Sequence, residues 1–111
     1  MGFYYQFGIA GKPTDHSQAA RLYKSAAKKG ISDAMVSYGG LFTRGDGVKK
    51  NYNTAKYWFE KAANLNDANG FYSLGVLYQN GLGVKKDLQK YRFFFGKGEQ
   101  IVAKIVIKIL N

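Results

Sequence analysis

The heptapeptide GDGVKKN at residues 45–51 returns almost unchanged as GLGVKKD at residues 81–87. The interval is 36 residues, and the flanking sequence keeps it, since Gly39 matches Gly75 and the aromatic Phe42 matches Tyr78. A period of this length is typical of stacked supersecondary units rather than of a single wound domain. The chain is therefore predicted to be a repeat protein, and such proteins usually present an extended interaction surface.

Each unit is predicted to be a pair of helices joined by a glycine turn. Apolar and small residues recur at helical spacing along both helices of the second unit. They are Met35, Tyr38, Gly39 and Phe42 in the first helix, and Ala55, Trp58, Phe59, Ala62 and Ala63 in the second. We expect Asp33 to cap the first helix and Asn51 the second, with Asp87 as the corresponding cap in the third unit. Gly39 and Gly75 lie inside predicted helices at the same repeat position, although glycine is less favourable there than alanine. This predicts that the two helices of each unit approach closely there, beside a bulky aromatic side chain.

The pattern LGxxYxxGxGVxxDxxK at residues 74–90 resembles the Sel-1-like repeat, a relative of the tetratricopeptide repeat. So does YGxxFxxGxGVxxN at residues 38–51, which is followed by AxxWxxKAA at residues 55–63. The resemblance covers residues 15–90. It implies an all-α fold, a short right-handed α-solenoid in which the first helix of each unit lines a concave face.

The resemblance therefore implies a single Sel-1-like repeat domain, residues 1–111. Its parts are a partial repeat at 1–30, a repeat at 31–66, and a repeat at 67–103 with a degenerate tail to 111. The tail is rich in isoleucine, valine and lysine, and we expect a capping helix there. An aggregation-prone strand and a truncated or frameshifted gene end are the alternatives. Because solenoids need about three units for stability, we expect a marginally stable monomer or self-association through the open repeat ends.

The family resemblance implies a non-enzymatic adaptor that binds a protein or peptide on its concave helical face, without a cofactor. Carrying the groove over from tetratricopeptide-like packing selects first-helix positions that lie off the core stripe. These positions are Asp33, Val36, Gly40, Thr43, Arg44, Asn69, Tyr72, Val76, Gln79 and Asn80. Tyr72 is expected to be exposed among them, where it would suit peptide recognition.

An enzyme is the first alternative. Residues 61–71 are similar to a segment of cysteine-rich Sel-1-like proteins described as β-lactamases. In those proteins a cysteine pair bridges the positions held here by Ala63 and Phe71, whereas this chain is free of cysteine. Ser25 and Lys28 match the Ser-x-x-Lys pattern of penicillin-recognising enzymes, but the supporting motifs are missing. With one histidine and no cysteine, the sequence predicts neither a metal site nor a catalytic constellation, so the residues favour a non-enzymatic module.

The chain is strongly basic, with 17 lysine and arginine residues against 7 acidic residues and a formal net charge of +10. This charge favours an acidic partner, and it leaves electrostatic binding of nucleic acid or an anionic surface as the second alternative. The sequence shows neither a signal peptide nor a run of about 18 apolar residues that would span a membrane. We therefore expect a cytoplasmic location by default, or a periplasmic or secreted one if the true N-terminus lies upstream.

Overall fold

The computed structural model describes residues 16–111, which form five α-helices joined by short connections. The helices are α1 His16–Lys28, α2 Ser32–Arg44, α3 Tyr52–Asn64, α4 Ala68–Asn80 and α5 Leu88–Leu110. Each helix packs on the next in chain order, and α2 also touches α4. Within residues 16–111 there is no strand, so the predicted all-α solenoid of helical hairpins is confirmed. The front half of the predicted partial repeat at 1–30 lies outside the described residues.

The helix ends follow the repeat. Asn51 accepts a hydrogen bond from the Thr54 N–H at 3.1 Å, and Asp87 accepts two at the start of α5, so both predicted caps are confirmed. Gly45 and Gly81 close α2 and α4 in the left-handed conformation, with φ of 73° and 66°. In this conformation a glycine avoids the strain that a Cβ atom would introduce. The short turns that follow return the chain for an antiparallel second helix.

The predicted cap at Asp33 is wrong. Helix α2 begins at Ser32 with Ile31 in the N-cap position, and no side chain caps it. The reason is the short connection after α1: the Ile31 N–H donates to the Ala26 carbonyl at 3.2 Å, which ends α1 and leaves a single extended residue before α2. Asp33 instead lies in the first turn, where its negative charge interacts favourably with the helix dipole.

The two glycines of the first helices lie against aromatic rings of the second helices, as predicted. A Cβ atom placed on Gly39 would lie 2.7 Å from the Phe59 ring, and one on Gly75 would lie 3.2 Å from the Phe95 ring. Phe59 is buried together with Leu74 in the core cluster that joins α3 to α4. The glycines therefore set the spacing within each helical pair, because a side chain there would push the ring away.

The lysine-punctuated tail is helical, as predicted, and it continues α5 without a break to Leu110. Helix α5 is 23 residues long, whereas the α4 helix beside it has 13. None of the helices in the described part of the chain is long and apolar enough to cross a membrane.

Candidate functional site

A cleft of about 450 Å³ lies between α2 and α4, the first helices of two successive units. Its floor is apolar, with Leu41 and Leu77 of the first helices and Phe59 of α3 all almost completely buried. Hydroxyl and guanidinium groups stand on the walls. The lining residues are Tyr23, Val36, Ser37, Gly40, Leu41, Thr43, Arg44, Phe59, Ser73, Val76, Leu77 and Leu82. A mostly apolar cavity with a few polar groups is typical of a ligand-binding site.

Arg44 lies at one end of the cleft, beside Asp46. Its Nε donates to Asp46 at 2.8 Å, and the guanidinium lies over Gly40, 3.3 Å from where a Cβ atom on that glycine would be. The Thr43 hydroxyl donates to the Gly40 carbonyl at 2.6 Å, so it is turned towards its own helix. Among the described residues the terminal nitrogens of Arg44 have no hydrogen-bond partner. They can therefore receive an acceptor from a ligand.

The structure brings five of the ten predicted groove positions to this cleft and leaves five outside it. The five in the cleft are Val36, Gly40, Thr43, Arg44 and Val76. Asp33 and Asn69 are exposed in the first turns of their helices. Asn80 is exposed and donates to the Val76 carbonyl of its own helix at 3.1 Å. Gln79 is half-buried and does not line the cleft.

Tyr72 is half-buried rather than exposed, which corrects the expectation from the sequence. Its ring packs on Phe95, with ring centroids 4.9 Å apart, and covers Gly98, where a Cβ atom would lie 2.6 Å from the ring. Its hydroxyl donates to the Glu99 carboxylate at 2.5 Å. Tyr72 therefore joins α4 to α5 and is a structural residue, since the absence of a side chain at Gly98 creates the space for its ring.

The Tyr72 contact predicts a stability loss at high pH. The hydrogen bond to Glu99, together with desolvation and the negative charge of that carboxylate, raises the pKa of Tyr72. The pKa of Tyr72 in the folded protein therefore lies above the unfolded value of about 10. The hydrogen bond contributes its full stability below that pH, and this stability is lost as pH rises through the pKa of the folded protein. The melting temperature of the wild type should therefore exceed that of Tyr72→Phe at a pH of about 8, and the gap should narrow above a pH of about 10.

Thermal denaturation followed by circular dichroism measures this gap. Glu99→Gln in both backgrounds serves as the control, because removing the negative charge of the carboxylate should reduce the pH dependence of the gap. A gap of the same size at both pH values would show that the hydrogen bond contributes nothing to folding.

Several residues that line the cleft were not among the predicted groove positions. Ser37 and Ser73 lie 36 residues apart, so their shared repeat position was a signal for finding both. Phe59 was assigned to the core, which is correct, but its ring also forms part of the floor. Leu82 comes from the turn after α4 and was not expected there.

The residues considered for catalysis lie outside the cleft. Ser25 and Lys28 are both exposed near the end of α1, and neither lines the cleft. His16 is exposed at the start of the same helix. Among residues 16–111, no group of three or more histidine, cysteine, aspartate or glutamate side chains could hold a metal ion.

Comparison with known proteins agrees with this architecture. The family model of the Sel1 repeat matches residues 1–31, 32–67 and 72–90. Among solved structures, a Sel1 repeat protein from Oxalobacter formigenes is 33% identical, with a TM-score of 0.72 over 78% of this chain and 36% of its own. The protein c5321, a protective antigen present in uropathogenic Escherichia coli strains and displaying an SLR fold, is 34% identical, with a TM-score of 0.75.

The match to c5321 covers 82% of this chain and 20% of c5321. The chain therefore spans about a third of the Oxalobacter formigenes protein and about a fifth of c5321. No curated protein matches it. The three family matches extend over most of the sequence. The glycine turns and helix caps described above occupy equivalent positions in the second and third repeats. The chain belongs to the Sel1 repeat family.

Proposed function

We propose that this protein is a non-enzymatic binding module that takes an apolar side chain of a protein or peptide partner in the α2–α4 cleft and an adjacent carboxylate on Arg44. Sel1 repeats act as protein-interaction modules, which supports a binding role for the chain. The observation that carries the proposal is the cleft itself, about 450 Å³ of mostly apolar space between two first helices. Such a volume accommodates one or two large side chains.

The floor of the cleft favours an apolar group. Val76 is 41% exposed on one wall, and Val36 is half-buried on the other. A ligand side chain placed between them would cover both valines and reach Leu77, which is 1% exposed. Burial of this apolar surface supplies the driving force for binding, at roughly 25 cal/mol per Å² removed from water.

Arg44 favours a carboxylate beside the apolar group. The bond to Asp46 orients the guanidinium and leaves its terminal nitrogens open to a ligand. A guanidinium offers two parallel N–H donors that match a carboxylate. The net charge of +10 also favours an acidic partner at longer range.

A peptide selection tests the proposal. A random peptide library is selected on the wild-type protein and counter-selected on Val76→Trp, whose side chain would fill the cleft. The enriched peptides should share an apolar residue next to an acidic residue or a free C-terminal carboxylate. Arg44→Glu should weaken binding of the best peptide about tenfold or more, in line with the loss of a charge-assisted hydrogen bond and its replacement by repulsion.

Arg92→Glu is the matched control, because Arg92 is exposed on α5 and the charge change is the same. Fluorescence anisotropy with the labelled peptide gives the dissociation constant of each variant. Equal losses in the two variants would show that net charge alone governs binding. Peptides that bind Val76→Trp as well as the wild type would place the site elsewhere.

The other functions considered receive less support. Ser25 does not line the cleft, so the cleft lends no support to a β-lactam-binding or β-lactamase-like role. Among the described residues, the cleft walls carry a single cationic side chain, Arg44, which does not favour nucleic acid there. Self-association through the open repeat ends stays a prediction, and sedimentation velocity at several protein concentrations tests it.

A further inference from the structure

The distal segment of α5, residues 101–110, extends beyond the helix that supports it. Tyr78 near the end of α4 stacks on Phe94, and Tyr72 near its start lies over Gly98, so the two helices run antiparallel. Helix α4 begins at Ala68, and α5 continues for ten more residues past Gln100. At about 1.5 Å per residue, the distal segment is about 15 Å long. Of the described helices, only α4 packs against α5.

The exposed surface of the distal segment is apolar over most of its circumference. Eight of its ten residues are isoleucine, valine, leucine or alanine. Ile107 is 58% exposed, Ile109 77% and Leu110 79%. At about 100° per residue, the apolar positions cover an arc of about 240°. Lys104 and Lys108 lie together in the remaining sector.

The lysine sector faces the rest of the protein, and the apolar arc faces away. Ile101, Lys104, Ile105 and Lys108 line a small cavity with Asn66, which belongs to the turn between α3 and α4. The opposite side of the helix, which by the helical period lies between Val106 and Leu110, therefore points away from the fold.

We propose that the distal segment of α5 is an interfacial helix that binds the surface of an anionic phospholipid bilayer. A helix whose broad apolar face is flanked by lysines lies in the membrane plane, with its apolar side chains at the acyl boundary and its lysines near the headgroups. No acidic residue follows Glu99, so every charged side chain of the segment attracts anionic lipid.

Charge and shape favour a bilayer over the other occupants. In a dimer formed through this segment, two chains that each carry a net charge of +10 would be brought together, and like charges repel. A groove on another protein takes up a stripe of about 100°, which would leave much of the apolar arc in water. A bilayer surface can cover a wider arc, because the helix sinks into it.

Flotation with lipid vesicles tests the proposal on the whole chain. Vesicles of phosphatidylcholine with about one third phosphatidylglycerol are compared with vesicles of phosphatidylcholine alone. The wild type should float with the anionic vesicles and much less with the neutral ones. The double variant Ile107→Glu/Leu110→Glu should lower the partition coefficient about tenfold or more, because it places charges in the apolar arc.

The matched control is Leu65→Glu/Leu88→Glu, which changes the net charge by the same amount at apolar side chains that are 55% and 47% exposed outside the distal segment. It should reduce partition about twofold or less. Because all four side chains are exposed, both variants should keep the wild-type circular dichroism spectrum and melting temperature, which are measured alongside.

Three results would overturn the proposal. One is no flotation of the wild type with anionic vesicles at low salt. Another is an equal loss in the two double variants, which would indicate attraction by net charge alone. The third is a concentration-dependent dimer that Ile107→Glu/Leu110→Glu dissociates, which would make a second copy of the chain the occupant.

Discussion

Gly70→Ala should lower the free energy of unfolding by about 2–3 kcal/mol, although alanine is the better helix former. Gly70 lies in the first turn of α4 and is buried against α3. A Cβ atom there would lie 2.6 Å from the backbone nitrogen of Ala63 and 3.0 Å from the Cβ atom of Ala62. A backbone atom inside a helix cannot turn aside as a side chain can. The methyl group would therefore force α3 and α4 apart.

Gly96→Ala is the matched control for this prediction. Gly96 lies inside α5, and a Cβ atom placed there would have nothing within 4 Å. The same substitution should therefore raise the free energy of unfolding by about 0.5–1 kcal/mol, the helix-propensity difference between glycine and alanine. Urea denaturation followed by circular dichroism measures both variants. A shift in the same direction for both would show that the close approach of α3 and α4 does not determine the effect.

The repeat made much of the fold predictable from the sequence. Helix limits, the caps at Asn51 and Asp87, and the left-handed turns at Gly45 and Gly81 depend on local sequence, and each pair occurs at the same repeat position. Local rules such as capping and glycine turns act within a few residues, so a single sequence is enough to apply them. The wrong prediction of a cap at Asp33 shows where local rules fail, because the short connection after α1 determines where α2 begins.

The candidate site was only half predictable, because it depends on distances between helices. The helical period correctly placed Arg44 and Val76 on the face between α2 and α4. It could not show that Phe59 reaches the same cleft from another helix. Tyr72 holds the same repeat position as Val36, yet its ring packs over Gly98, whose counterpart in the preceding unit is Ala62. Such effects are set by packing, and helical periodicity does not report them.

Phe59→Ala should lower the free energy of unfolding by about 3–5 kcal/mol, and Phe95→Ala by roughly half as much. The two residues hold the same position in successive units, and each ring lies against a glycine of the preceding helix. Phe59 is only 4% exposed, because α4 covers it from the other side and adds Leu74 and Leu77 to its cluster. Phe95 is half-buried against Tyr72 and Tyr91, and no helix in the described part of the chain covers it in this way.

The difference between the two variants therefore measures how much a following unit stabilises the unit before it. Urea denaturation gives both free energies. Phe59→Leu and Phe95→Leu provide the same comparison if the alanine variant at Phe59 is too unstable to fold, since a smaller loss of volume leaves a smaller cavity. Equal costs at the two positions would mean that each helical pair is stable by itself. A larger cost at Phe59 would locate a major part of the stability at the interface between units, as expected for a protein in which each repeat contacts only its neighbours.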